Sequence, residues 1–260
     1  MKSRVDIILP IRAPAPYICA TLQSILDQSL TDFRLIAILD GPALEAESLI
    51  KRFIPQSKII QVPAHSGIGM ALNTGLTESD ADYIARIDAG DTMSPTRLEL
   101  QQNFLDSHPD CLAVGSAVEL IDGKGEILGH RSAPISAKRM RRRLRWRNAL
   151  SHPATTFRRQ PAIEAGGYSL IAQHLEDYVL WLNLAAIGEI VALPDALTRY
   201  RVHDAQLTNS VKFRKSSLRE LQLAREAFAK SEGGSKTAAR VRHQIWFAAQ
   251  VAHRRISIGQ

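Results

Sequence analysis

Apolar and polar positions alternate in blocks along the first hundred residues. Val5–Pro10, Phe33–Leu39, Lys58–Val62 and Tyr83–Ile87 are short β-rich runs, most of them near-continuously apolar, as strands buried on both faces are. Between them the apolar spacing becomes helical. Ile18, Leu22, Ile25 and Leu26 fall on one face of Tyr17–Leu26, and Ala43–Phe53, Gly69–Leu76 and Pro95–Leu105 read the same way, the last with Pro95 in its first turn. Strand–helix alternation of this kind predicts a parallel sheet covered by helices. The strand ends at Pro10, Asp40 and Asp88 then share one edge of that sheet, where ligands of open α/β sheets sit.

After Cys111 the pattern changes. Leu112–Ile121 and Glu126–Leu128 flank Asp122-Gly123-Lys124-Gly125, which predicts a hairpin. Ala137–Trp146 and Leu175–Ala186 are expected as helices, and Ile190–Leu193 and Leu197–Val202 as two short strands. Residues 213–231 and 235–256 read as a helical pair hinged at Glu232-Gly233-Gly234-Ser235.

Two carboxylates, Asp88 and Asp91, end the Tyr83–Ile87 run. They suit a hard divalent cation such as Mg²⁺ or Mn²⁺, commonly held by one or two carboxylates plus substrate phosphates. Capping of the helix that follows is the alternative. Asp40 has the same two readings, accepting hydrogen bonds from a base or ribose, or capping a helix. The first strand is followed by Pro10-Ile11-Arg12-Ala13-Pro14, with neither a Gly-x-Gly-x-x-Gly turn nor a Gly-Lys-Ser/Thr loop. That disfavours a Rossmann dehydrogenase, a P-loop nucleotidase and a nucleotidyltransferase.

Composition adds little to the fold. The chain has 260 residues, 45% of them hydrophobic and 23% charged, ordinary globular values. No apolar run reaches the roughly 18 residues of a membrane span, the N-terminus does not read as a signal peptide, and two cysteines predict no disulfide framework, so the expected location is cytoplasmic. Charge is more telling. Residues 205–260 hold 11 Lys/Arg and 3 Asp/Glu, net +8, which leaves residues 1–204 at −1 of the overall +7. Lys138 to Arg147 packs seven Lys/Arg into ten residues around Met140, Leu144 and Trp146. Such a helix either lies on anionic lipid at the inner face of a membrane or packs those three apolar residues inward. Nucleic acid is not expected as a partner, because no reading module accompanies the charge.

An ordered motif set runs through the chain: Ser-Ile-Leu-Asp-Gln-Ser-Leu-Thr-Asp-Phe (24–33), Asp-Gly (40–41), Gly-x-Gly-x-Ala-Leu-Asn-Thr-Gly (67–75), Tyr-Ile-Ala-Arg-Ile-Asp-Ala-Gly-Asp (83–91), Ser-His-Pro-Ala-Thr-Thr-Phe-Arg (151–158), Gly-Gly-Tyr (166–168), Glu-Asp-Tyr-Val-Leu-Trp (176–181) and Tyr-Arg-Val-His (200–203). It resembles the bacterial family 2 glycosyltransferases over roughly residues 4–210. The resemblance implies a GT-A (nucleotide-diphospho-sugar transferase) fold, an α/β domain over 1–210 with a mostly parallel central sheet, and a basic helical extension over 211–260. It implies an inverting, metal-dependent transfer of a sugar from a nucleotide-diphospho-sugar to a saccharide or lipid-linked saccharide in cell-surface polysaccharide synthesis. By position, Pro10 and Arg12 border the nucleotide, Asp40 meets its base, and Asp88 and Asp91 belong to the diphosphate and metal motif. His203 falls near the metal, Asp177 is the general base with Glu176 beside it, and His152 borders the acceptor. Two departures keep a non-catalytic, nucleotide-sugar-binding or partner-binding relative in view. Gly90 stands where relatives have a carboxylate, and Leu72 where they often have arginine.

Overall fold

The computed structural model describes residues 4–202 and 213–258, with side chains as far as 251. The first half alternates as expected: β1 (Val5–Ile11), α1 (Ile18–Leu26), β2 (Phe33–Asp40), α2 (Leu44–Phe53), β3 (Lys58–Val62), α3 (Ile68–Glu78) and β4 (Tyr83–Arg86). These strands pair in parallel in the order β3-β2-β1-β4, with Ile8 opposite Ile36 and Arg86. Period-two alternation splits their side chains between two cores. Ile8, Ile36, Ile38 and Ile84 face one; Ile7, Leu9, Leu35, Leu39 and Ala85 face the other.

Then come β5 (Thr92–Met93), α4 (Arg97–Ser107), β6 (Cys111–Ile121), β7 (Ile127–Arg131) and α5 (Ala137–Leu144). A 3-10 turn, His152–Ala154, precedes β8 (Thr156–Arg158), α6 (Arg159–Glu164), α7 (Glu176–Ile187), β9 (Glu189–Arg201), α8 (Lys215–Ser231) and α9 (Lys236–Ile258). β8 joins β4 antiparallel and continues the sheet through β6, β9 and β5, with β7 hairpinned onto β6. The expected Asp122–Gly125 turn is present, with Asp122 Oδ1 accepting the Lys124 and Glu126 N–H groups at 2.8 and 2.9 Å.

Three local expectations are corrected. The two short strands are one, β9, kept continuous along β6 by register shifts near Ser116–Val118. Pro95 lies outside α4, whose N-cap is Thr96. Met140 and Leu144 of α5 are fully buried, but Trp146 faces out, 46% exposed. α8 buries Leu221, Ala224 and Phe228 in the core that also holds α3, α5 and α7. α9 is clamped to α8 by the Arg240 fork on Glu226, at 2.8 and 3.1 Å.

α3 lies on β1 through Gly75. A Cβ there would stand 2.8–3.0 Å from three side-chain atoms of the buried Ile8. Overpacking a full core costs about 1–3 kcal/mol. Gly75→Ala is therefore expected to lower the thermal midpoint, and an unchanged melting curve would show that the α3–β1 contact relaxes freely.

Candidate active site

β1, β2 and β4 end together, and the sequence-identified residues gather along that edge. Pro10 is buried in β1 beside Ile38. Arg12, exposed in the loop beyond, meets His65 Nδ1 at 2.7 Å. Asp40 does not cap α2, whose N-cap is Ala43; its Oδ1 accepts the Ser66 N–H at 2.9 Å. Arg12 and Asp40 thus hold the loop after β3 against the ends of β1 and β2, forming a rim of main-chain groups. Leu72 is fully buried on the inner face of α3 and belongs to the core.

Neither Asp88 nor Asp91 caps α4. The tip turns at Gly90, whose φ of +120° favours glycine; a Cβ there would make only ordinary contacts with Tyr17, at 3.8–3.9 Å. The missing carboxylate thus coincides with a backbone bend, not with crowding. Thr21 holds the bend, its Oγ1 accepting the Gly90 N–H at 2.9 Å and donating to the Asp91 carbonyl at 2.7 Å. Arg201 locks the other side: its N–H donates to Asp91 Oδ1 at 2.8 Å, its Nε to the Gly90 carbonyl at 2.9 Å, and its guanidinium lies over the Tyr17 ring.

Asp91 is 3% exposed, and its Oδ2 has no hydrogen-bond partner among the described residues. Burial first, and the charge of Asp88 second, raise its carboxyl well above the usual range. Buried oxygens are rarely left unpaired, so an orphaned oxygen between two repelling carboxylates fits a cation. Two carboxylates with substrate phosphates are an ordinary Mg²⁺ donor set. Among the described residues no group of three or more His, Cys, Asp or Glu converges on such a point. His203 lies outside the described residues.

Two buried arginines stand beneath the tip. Arg86, 1% exposed, donates to the Ile87 carbonyl and to Asp88 Oδ1, and its charge acts on Asp91, Asp177, His152 and Tyr168. Arg97, fully buried, donates to the carbonyls of Pro153, Arg86 and Thr155 at 2.7, 2.8 and 3.0 Å. Burial pushes its pKa down to about 9, against the pull of Asp91. The sequence reading missed Arg97, because the first turn of a mostly polar helix gives no sign of burial. It also left Arg201 without a role, although Tyr-Arg-Val-His contains it.

α7 opens directly with Glu176 and Asp177, where the helix dipole favours negative charge. Asp177 accepts from Asn148 Nδ2 and from the Tyr178 N–H, both at 2.6 Å. Two accepted bonds leave about two of a carboxylate's roughly four lone-pair directions. Burial raises Asp177 to about 6, opposed by Asn148 and Arg86. Burial and then the Asp177 charge raise Glu176 to about 7, and its Oε2 has no hydrogen-bond partner among the described residues. His152 Nε2 pairs with the Tyr168 hydroxyl at 2.9 Å, with its ring edge-on to Trp181. Burial first and Arg86 second hold its pKa well below the usual value, so it is neutral at pH 7. The charge of Arg86, which pairs directly with Asp88, is thus felt at Asp91, His152 and Asp177.

A mixed sheet of this order, with carboxylates at the ends of its parallel strands, defines a GT-A fold. The glycosyl transferase family 2 model matches residues 6–167, and the chain belongs to that family. It is 33% identical over 187 residues to the amylovoran biosynthesis glycosyltransferase AmsE of Erwinia amylovora, covering 69% of this chain and 68% of that one. It is 28% identical over 177 residues to the Escherichia coli UDP-Gal:alpha-D-GlcNAc-diphosphoundecaprenol beta-1,3-galactosyltransferase, covering 66% and 63%. The solved structure of S. aureus TarS in complex with UDP-GlcNAc superposes with a TM-score of 0.74 at 15% identity, over 95% of this chain and 72% of that one. In the UDP complex of TarS 1-349 the share of that chain is 65%, and in the structure of TarS itself 54%, so this chain spans between half and two thirds of those chains.

Proposed function

We propose that the protein is an inverting glycosyltransferase that moves a sugar from a nucleotide-diphospho-sugar to a saccharide or lipid-linked saccharide, in the synthesis of a cell-surface polysaccharide. The observation that carries this is a buried carboxylate, Asp91, whose Oδ2 has no partner among the described residues, at the tip that follows β4, in a chain that also holds Asp177, with spare lone pairs, at the start of α7. The relatives named for amylovoran and for a diphosphoundecaprenol acceptor support the setting. A lipid-carried acceptor would bring the protein to the inner face of a membrane as a peripheral partner. No helix among the described residues is long and apolar enough to cross one.

Pro10, Arg12 and Asp40 border the nucleotide in this reading, with Asp40 Oδ2 left for the base. Asp88 and Asp91 would hold Mg²⁺ or Mn²⁺ through Asp91 Oδ2, and a bound cation would neutralise the leaving diphosphate as a Lewis acid. Asp177 accepts the proton of the acceptor hydroxyl while that oxygen displaces the nucleoside diphosphate in line, inverting the anomeric carbon. Asn148 orients Asp177. Glu176, higher in pKa, carries a proton over much of the same pH range and spares Asp177 a second neighbouring charge. The neutral His152, fixed by Tyr168, flanks the acceptor side.

The sign of the pH dependence follows. A base must be ionised, so kcat/KM falls as pH drops through about 6, where Asp177 takes up a proton, with Glu176 adding curvature near 7. An acidic limb near 4, the range of a free carboxylate, would contradict this assignment. The function itself is tested by titrating UDP-, GDP- and dTDP-sugars with and without Mn²⁺. Donor hydrolysis or transfer supports it. Binding without turnover across donors and acceptors favours the non-catalytic reading that the bend at Gly90 keeps open.

A further inference from the structure

The charge of α5 is divided between two faces. Arg141 and Arg145 turn to the body, donating to the Gly188 carbonyl and to Glu232 Oε2, each at 2.9 Å. The other face holds Arg139, Arg142 and Arg143, with Arg147 just beyond the helix, and among the described residues none of the four meets a carboxylate. With segment 132–135 they line a shallow, open groove of about 680 Å³, within the roughly 300–1,000 Å³ of small-molecule sites. Ile135 and Trp146 stand on it, 53% and 46% exposed.

The groove combines three properties. Arg143 is half-buried, and burial and then the charge of Arg147 lower its pKa. The planar forks of clustered guanidiniums match phosphate oxygens two at a time. The exposed Ile135 and Trp146 offer apolar surface beside that charge. The residue after Arg147 is Asn148, which donates to Asp177. One short segment therefore runs from the basic groove to the carboxylate read as the base.

We infer that the α5 groove binds the diphosphate of a prenyl-diphosphate-linked acceptor, with Arg139, Arg142, Arg143 and Arg147 on the phosphates and Trp146 and Ile135 along the first prenyl units. The inference rests on Asp177 as the base and adds where the acceptor's anionic stem lies. It is tested by calorimetric titration of the full chain with farnesyl diphosphate, inorganic pyrophosphate and farnesol, for the wild type and Arg142→Gln/Arg147→Gln. Both positions are exposed, and a thermal melt checks the fold; Arg139→Gln/Arg142→Gln replaces the pair if it fails to fold. Farnesyl diphosphate is expected to bind more tightly than pyrophosphate, farnesol not to bind, and the double variant to lose at least about ten-fold in affinity for farnesyl diphosphate. No binding to the wild type, or equal binding to the variant, overturns the inference. So does a variant that loses only its affinity for vesicles containing phosphatidylglycerol, which would make the groove a membrane patch. UDP affinity, read on the same samples, reports separately on the donor site. A protein that binds farnesyl diphosphate but no nucleotide keeps the groove and loses the donor reading.

Discussion

Asp177→Asn slows sugar transfer by about 10²–10⁴, the usual worth of a positioned base, and leaves donor affinity near the wild-type value. The amide is isosteric but cannot take up a proton. It also cannot keep both accepted bonds, because Asn148 Nδ2 and the Tyr178 N–H each donate to a separate oxygen of Asp177. One of these donors would face the new NH₂ group, so a stability loss of about 1–2 kcal/mol is expected as well. The two effects separate experimentally. Turnover at saturating donor and acceptor reads the base, a thermal melt reads the hydrogen bonds, and donor titration shows that the nucleotide site is intact. A variant with wild-type kcat would remove Asp177 from the chemistry.

Arg97→Met is expected to destabilise the fold by about 3–5 kcal/mol, the range for removing one partner of a buried charge cluster. Arg97 is fully buried and donates to the carbonyls of Arg86, Pro153 and Thr155, so its loss takes a donor from each in a dry core, and among the described residues only Thr155 keeps a second one, the Arg86 N–H. It also leaves the buried Asp91 with less compensating charge. At this chain length the melting temperature should fall by roughly 10 °C. Arg97→Lys keeps the charge but not the fork, and should fall between the two. A loss below about 1 kcal/mol would mean that water or Arg86 takes over those carbonyls.

Legibility in the sequence followed the range of the interactions. The parallel half of the sheet was readable because most of its strands are apolar runs separated by helical spacing, as in Phe33–Asp40. The Asp122–Gly125 hairpin was readable because its turn chemistry is local. The continuous β9 was not: its partner residues in β6 lie far back in the chain, Cys111 opposite Glu189 and Ile121 opposite Arg201, and Pro194-Asp195 breaks the apolar pattern while the register shifts absorb the break. The acids of the candidate site were found because strand ends and motif order expose them. The cations and amides around them were not, because Arg97 and Asn148 are ordinary surface types that tertiary contacts bury or aim. Trp146, which the sequence left between an inward and an outward position, faces a basic groove although its spacing matches that of the buried Met140 and Leu144.

The most direct test of the account is a crystal structure of the protein with UDP and Mn²⁺. The diphosphate should lie beyond the ends of β1, β2 and β4, with Asp91 Oδ2 about 2.1 Å from the ion, Asp40 at the base, and Asp177 facing the open side of the β-phosphate, where the anomeric carbon would be. UDP bound away from that edge, or a metal that leaves Asp91 unligated with Asp177 turned from the donor, would contradict it.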